Sequence, residues 1–267
     1  MHLKRLIVAV AFLPAIYFYI MYLPSWAFLF LLIIVSFIAM TEFFSMYRIG
    51  GILRSACLLF GVLILGVSYI SKDLLPDVII LSVMGIICIR LLVKRNPVSS
   101  LHDISSPVIG LLYIPGFFIF QTQIREFGPQ WIIFLYASVW ASDTMAYYLG
   151  TGIGKRRLYR EVSPNKTVAG AVGSLIGGVI AALLLRATLT PLLTTSSAIF
   201  IGMIIGTLSI LGDLVESMFK RDAGVKDSGI IIPGHGGILD KIDGILFAGP
   251  MLYWILKVMG IMGSSIR

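Results

Sequence analysis

Long apolar runs, separated by short polar breaks, repeat from one end of this chain to the other. Each is about 20 residues, the length of helix that crosses roughly 30 Å of hydrocarbon. The pattern predicts about nine transmembrane helices, over residues 5–23, 26–46, 51–71, 75–93, 105–123, 131–150, 168–188, 195–219 and 243–263. The expected fold class is an all-α polytopic membrane protein. A transmembrane barrel would read as roughly 10-residue segments of alternating polarity, and the chain has no such rhythm. Pro24, Pro76, Pro107 and Pro191 stand at or near predicted helix ends, where a missing N–H costs least. Pro14, Pro115 and Pro250 stand inside spans and are expected to kink them.

Polar positions divide the chain. In the first half the predicted spans hold almost no acid, apart from Glu42 and the end-lying Asp77. From Trp131 onward, polar residues enter the helices themselves. Residues 1–130 therefore read as a helical scaffold of about five spans, and residues 131–267 as the working part, with polar loops at 151–167 and 220–242. Composition agrees with a membrane protein: 58% of the 267 residues are hydrophobic, 13% are charged and mean hydropathy is +0.98. Soluble domains are near a quarter charged.

Charge sets an expected orientation. With the N-terminus in the cytoplasm, 16 of the 21 Lys and Arg fall on the inner side, and Lys72, Arg125, Arg186, Lys257 and Arg267 fall outside. The positive-inside rule favours that arrangement and an external C-terminus. Both polar loops then face the cytoplasm. The net charge of +8 needs no nucleic acid to explain it, since anionic lipid and topology account for it. Too few apolar residues precede the Ala9-Val10-Ala11 triplet for a cleaved signal, so the first run reads as a retained helix. Cys57 and Cys88 lie in apolar runs without metal-ligand spacing.

Acids recur on helix faces in the second half. Asp143 and Tyr147 are four apart and share a face. Asp213 lies three before Glu216 and four before Ser217, so two carboxylates crowd one face of an apolar helix. Such a pair repels unless a cation joins it, a proton stays on, or Lys220 and Arg221 compensate it. Asp240 and Asp243 open the last helix, where either could act as its N-cap. Asp213 opposite Asp240 would supply hard oxygen ligands suited to Mg²⁺. His235, flanked by glycines, lacks the companions of a zinc site. The loop "GTGIGKRR" (150–157) fails the phosphate-loop spacing, with Leu149 and Arg156 at key positions. "SPNKT" (Ser163 to Thr167) precedes a helix and suits an anion. "PGHGG" (233–237) lets backbone approach a ligand closely.

The segment "SMFKRDAGVKDSGIIIPGHGGILDKID" (Ser217 to Asp243) resembles the signature of the phosphatidate cytidylyltransferase, or CDP-diacylglycerol synthase, family. That pattern runs Ser-x-x-Lys-Arg, four residues, Lys-Asp-x-Gly, then Pro-x-His-Gly-Gly-x-x-Asp-Arg-x-Asp. "SDTMAYYLGTGIGK" and "SPNKTVAG" resemble its upstream blocks. The likeness covers about the last half of the chain. Three positions depart from the pattern: Lys241 stands for Arg, Ala169 for a frequent Glu, and Asn165 for a second Lys.

The resemblance implies transfer of CMP from CTP to phosphatidic acid, giving CDP-diacylglycerol and pyrophosphate, in a bacterial cytoplasmic membrane. It implies Mg²⁺, with K⁺ as a candidate second cation, and CTP and membrane lipid as partners. Asp213 and Asp240 are expected to hold the metal. Lys226, Asp227 and His235 complete the expected catalytic set. Asp143, Ser163, Lys166, Thr167, Ser217, Lys220, Arg221, Lys241 and Asp243 are expected to bind substrate. The helix-rich first half would suit a homodimer contact. The alternative is an ion-coupled transporter using intramembrane Asp and Glu.

Overall fold

A computed structural model describes residues 14–229 and 236–260. The chain forms a bundle of helices: α1 (described over 14–22), α2 (Ser25–Met46), α3 (Gly51–Ile70), α4 (Leu75–Lys94), α5 (Ser100–Tyr113), α6 (Pro115–Phe127), α7 (Pro129–Ile153), α8 (Val168–Thr188), α9 (Thr195–Asp222) and α10 (Leu239–Val258). The architecture is nearly all-α. The exception is a hairpin between α7 and α8, β1 (Arg157–Tyr159) and β2 (Ser163–Thr167), antiparallel with Arg157 opposite Thr167 and Tyr159 opposite Ser163.

Six segments among the described residues are long and apolar enough to cross a membrane: α2, α3, α4, the α5–α6 pair, α8 and α9. α7 and α10, also expected as spans, are not among them. Their length suffices, but α7 carries Asp143 among Ser, Thr and Tyr, and α10 carries Asp240, Lys241, Asp243 and Lys257. The expected kink at Pro115 is a break. Ile114 keeps right-handed helical angles (φ −91°, ψ −75°) but ends α5, and Pro115 starts α6, where proline's fixed φ is already helical. Large apolar side chains such as Trp26, Ile80, Leu91, Leu92, Leu184 and Phe200 are exposed around the bundle, which suits contact with lipid.

Small residues bring three helices together. A Cβ on Gly173 or Gly177 would run into the Met145 or Ala141 carbonyl of α7. One on Gly178 would meet the Gly202 carbonyl of α9, and one on Gly202 the Gly178 carbonyl. The two Gly-x₃-Gly pairs thus face different partners, Gly173/Gly177 toward α7 and Gly202/Gly206 toward α8. Ser174 adds a hydrogen bond from Oγ to the Gly206 carbonyl at 2.9 Å. α7, α8 and α9 form one tightly packed layer of small residues, as membrane helices do when backbones must touch.

An aromatic cluster joins this layer to the earlier helices. Phe219 of α9 lies 5.6 Å from Phe43 and 5.5 Å from Tyr113, ring centre to ring centre. Phe247 of α10 lies 6.1 Å from Tyr113 and 5.5 Å from Phe117. Edge-to-face rings at these separations add about 0.5–1.5 kcal/mol per pair beyond area burial. At the C-terminal end of α2, Tyr47 donates to Asp222 at 2.9 Å. Burial, with the Asp222 carboxylate beside it, pushes the Tyr47 phenol above its ordinary range.

Candidate active site

The β1–β2 hairpin starts the site. Thr167 ends β2 and caps α8, its Oγ1 accepting from the Gly170 N–H at 3.1 Å. The cap fixes where the strand stops, and so where the preceding Lys166 points. Lys166 Nζ lies 2.7 Å from Asp213 of α9. Asp213 is half exposed, its side chain 46% accessible, while the Lys166 side chain is 19% accessible. Both line a cavity of about 620 Å³ with Asp143, Tyr147, Arg157, Asn165 and Thr167. That volume falls within the range of small-molecule sites, roughly 300–1,000 Å³. The walls come from α7, α8, α9 and the hairpin, so the shared face of Asp143 and Tyr147 is the cavity face. Ser209 of α9 donates to Asp143 Oδ1 across the helix pair. Ser163 lies half-buried on the same strand as Lys166.

Next to the cavity, Asp213, Glu216 and Asp243 each offer a carboxylate oxygen, and the three lie within 4.8 Å of one another. Glu216 is fully buried and Asp243 nearly so. Three acids this close need compensation. Lys166 stands against Asp213, and Lys220 forms an i,i+4 ion pair with Glu216.

Of the expected metal pair, Asp213 stands in this trio, while Asp240 is engaged by other groups. Asp240 Oδ1 is held by Lys220 at 2.6 Å. Its Oδ2 accepts from Gly237 N–H at 2.7 Å, Ser228 Oγ at 2.9 Å and Ser228 N–H at 3.3 Å. A carboxylate occupied on both oxygens anchors a loop. Lys220 is buried between Glu216 and Asp240, so it serves as an internal counter-ion more than as an open phosphate ligand. Nor do Asp240 and Asp243 cap α10. The helix starts at Leu239, four residues before the expected start, and both acids lie inside it.

Arg221 donates to the Val162 carbonyl at 3.3 Å, which ties the end of α9 to the hairpin loop. The two polar loops therefore meet at one end of the bundle. Lys226, Asp227 and Lys241 are exposed there. Ser217 is buried on α9 beside Glu216. His235 lies outside the described residues. Two residues of this region had been left out of the expected site. Glu216 was visible as the companion of Asp213, but its partner Asp243 is distant in sequence. Glu42 of α2 accepts from Ile238 N–H at 3.0 Å and from Leu239 N–H at 2.9 Å.

A profile described as the cytidylyltransferase family matches residues 3–259. The chain belongs to that family. It is 32% identical to the phosphatidate cytidylyltransferase of Synechocystis sp., over 92% of this chain and 93% of that protein. It is 34% identical to the Staphylococcus saprophyticus protein of the same name, over 84% and 87%, and 36% identical to that of Bacillus subtilis, over 68% of each. These names describe group transfer from a nucleotide and none describes a carrier, so the transporter reading is not favoured. The family match runs through the first half of the chain as well, where the signature motifs are silent.

Proposed function

We propose that this chain is a phosphatidate cytidylyltransferase: it joins CMP from CTP to phosphatidic acid and releases pyrophosphate. The observation that carries the reading is the Lys166–Asp213 pair in a nucleotide-sized cavity, with the buried Glu216 and Asp243 beside Asp213, in a chain of this family. A phosphatidate oxygen attacks the α-phosphorus of CTP. The bond from that phosphorus to the oxygen bridging to the β-phosphate breaks, and pyrophosphate leaves. No general base is required, since the attacking oxygen is already ionised. Charge neutralisation and in-line positioning are what the protein must supply.

The cavity cations suit those tasks. Lys166 and Arg157 would bind phosphate oxygens, and the start of α8 favours negative charge as the positive end of the helix dipole. Asp143, held by Ser209, would orient these cations. Asp213, Glu216 and Asp243 form a hard oxygen donor set, two of them buried with no apolar reason to be there, which fits Mg²⁺. Bound at that trio, Mg²⁺ would offset charge developing on the departing pyrophosphate. A second cation such as K⁺, a cytoplasmic N-terminus with an external C-terminus, the bacterial inner membrane and a homodimer complete the proposal.

The test is radiolabelled CTP with phosphatidic acid and purified protein, with and without Mg²⁺. Label appearing in CDP-diacylglycerol only when Mg²⁺ is present supports the reading. Ion flux across sealed vesicles without CTP turnover would sink it in favour of transport.

A further inference from the structure

A buried acid in a membrane helix needs a partner. Glu42 is 4% exposed, near the end of α2, in the half of the chain that otherwise supplies scaffold. Its partners are not cations. Oε1 accepts from Ile238 N–H and Oε2 from Leu239 N–H, the amides of the N-cap and first residue of α10, 196 and 197 residues away. These are among the orphan donors that every helix start leaves unsatisfied. Ile238 offers no side-chain cap of its own. The cap comes from another helix, and the positive end of α10 favours a carboxylate there.

The same carboxylate is gripped by both arms of the signature loop. A Cβ on Gly229 would run into Glu42 Oε1, and one on Gly237 into Glu42 Oε2 and Ser228 Oγ. Ser228 Oγ stands 3.4 Å from Glu42 Oε2 and 2.9 Å from Asp240 Oδ2. Two carboxylates thus divide the loop's donors. Asp240 takes Ser228 and Gly237, and Glu42 takes Ile238 and Leu239. Between them they set the first turn of α10, which carries Asp240 and, one turn on, Asp243.

We propose that Glu42 is a positioning residue for the reaction: it sets the Ser228–Gly229 and Gly237–Ile238 arms of the signature segment and the first turn of α10, and through them the placement of Asp243 and of the Lys220–Asp240 pair. It touches neither substrate nor the trio. This rests on the cytidylyltransferase reading of the site.

The experiment compares wild type, Glu42→Gln, Glu42→Asp and Asp103→Asn as purified full chains. Cytidylyl transfer is measured against both substrates, with a melting midpoint in detergent and hydrogen exchange of the 236–243 peptide. Glu42→Gln keeps the volume but loses one acceptor. It is expected to stay folded, lose about 10–100-fold in kcat and exchange faster at 236–243. Its KM for CTP should move by less than about threefold, since no substrate contact is removed. Glu42→Asp, one methylene short, should fall between. Asp103→Asn breaks the Arg90 ion pair (2.8 Å), and Asp103 shares no hydrogen bond with the described residues of the loop. It should lower the melting midpoint and keep kcat.

Wild-type kcat in Glu42→Gln overturns the proposal. So does an equal kcat loss in Asp103→Asn at a matched loss of stability, because the effect would then be general. If Glu42→Gln does not fold, wild-type kcat in Glu42→Asp overturns it. A wild type without transfer overturns the function instead, and unchanged exchange at 236–243 then also removes the anchoring claim.

Discussion

Lys166 Nζ and Asp213 Oδ2 stand 2.7 Å apart across a cavity, one at the end of a hairpin strand and the other 47 residues on in a membrane helix. Under the proposed reading, the pair would act as a latch that an anion opens. A phosphate entering the cavity competes for the lysine and frees the carboxylate for a cation. Lys166→Ala is therefore expected to lower kcat/KM by about 10–100-fold, the usual range for one charge-assisted contact of about 1.5–3 kcal/mol. Lys166→Arg should recover part of it. Initial rates at varied CTP check this.

The acidic residues separate by role. Glu216→Gln and Asp243→Asn should raise the Mg²⁺ concentration for half-maximal rate by about 10–100-fold. Asp240→Asn should lower the rate and the stability while leaving that concentration nearly unchanged, because Asp240 is held by Lys220, Ser228 and Gly237. A Mg²⁺ titration of the three variants decides it. A large shift for Asp240→Asn would restore it to the metal.

Gly178→Leu should be among the most destabilising changes in the chain. Even the first added carbon would meet the Gly202 carbonyl, which cannot move without moving α9. Overpacking of this kind costs about 1–3 kcal/mol. The expected readout is a melting midpoint several degrees lower in detergent, with activity in the folded fraction reduced because Asp213 shifts with its helix.

Thr167→Val keeps the shape and removes the cap of α8. It should cost about 1 kcal/mol. It should also raise the KM for CTP more than it lowers kcat, since the adjacent Lys166 loses its fixed exit direction. Steady-state kinetics and thermal melts together test both parts.

Much of this fold was legible in the chain's apolar rhythm, because a membrane span must be both long and greasy. The ends of α2, α3, α4, α8 and α9 fall within three residues of the runs that predicted them. The hairpin was not legible. "RLY" and "SPNKT" are short and lack alternation, and their pairing is a tertiary fact. The carboxylate trio was half legible: helical spacing placed Glu216 beside Asp213, but no spacing places Asp243 there. Asp240 reads as a hard oxygen donor opposite Asp213, and only the loop's geometry shows both its oxygens in use. Glu42 left one trace, an acid without a neighbour in an apolar run. Its partners are backbone amides, which no side-chain pattern advertises.

The backbone contact between Gly178 and Gly202 also bears on how this molecule meets membranes of different thickness. Helices that touch through side chains can scissor as the bilayer thins or swells, each finding its own tilt. α8 and α9 have no such slack. They are expected to tilt together, with Lys166 two residues before the start of one and Asp213 along the other. The gap between those two groups is thereby insulated from the lipid around it, in a site whose proposed product changes that lipid.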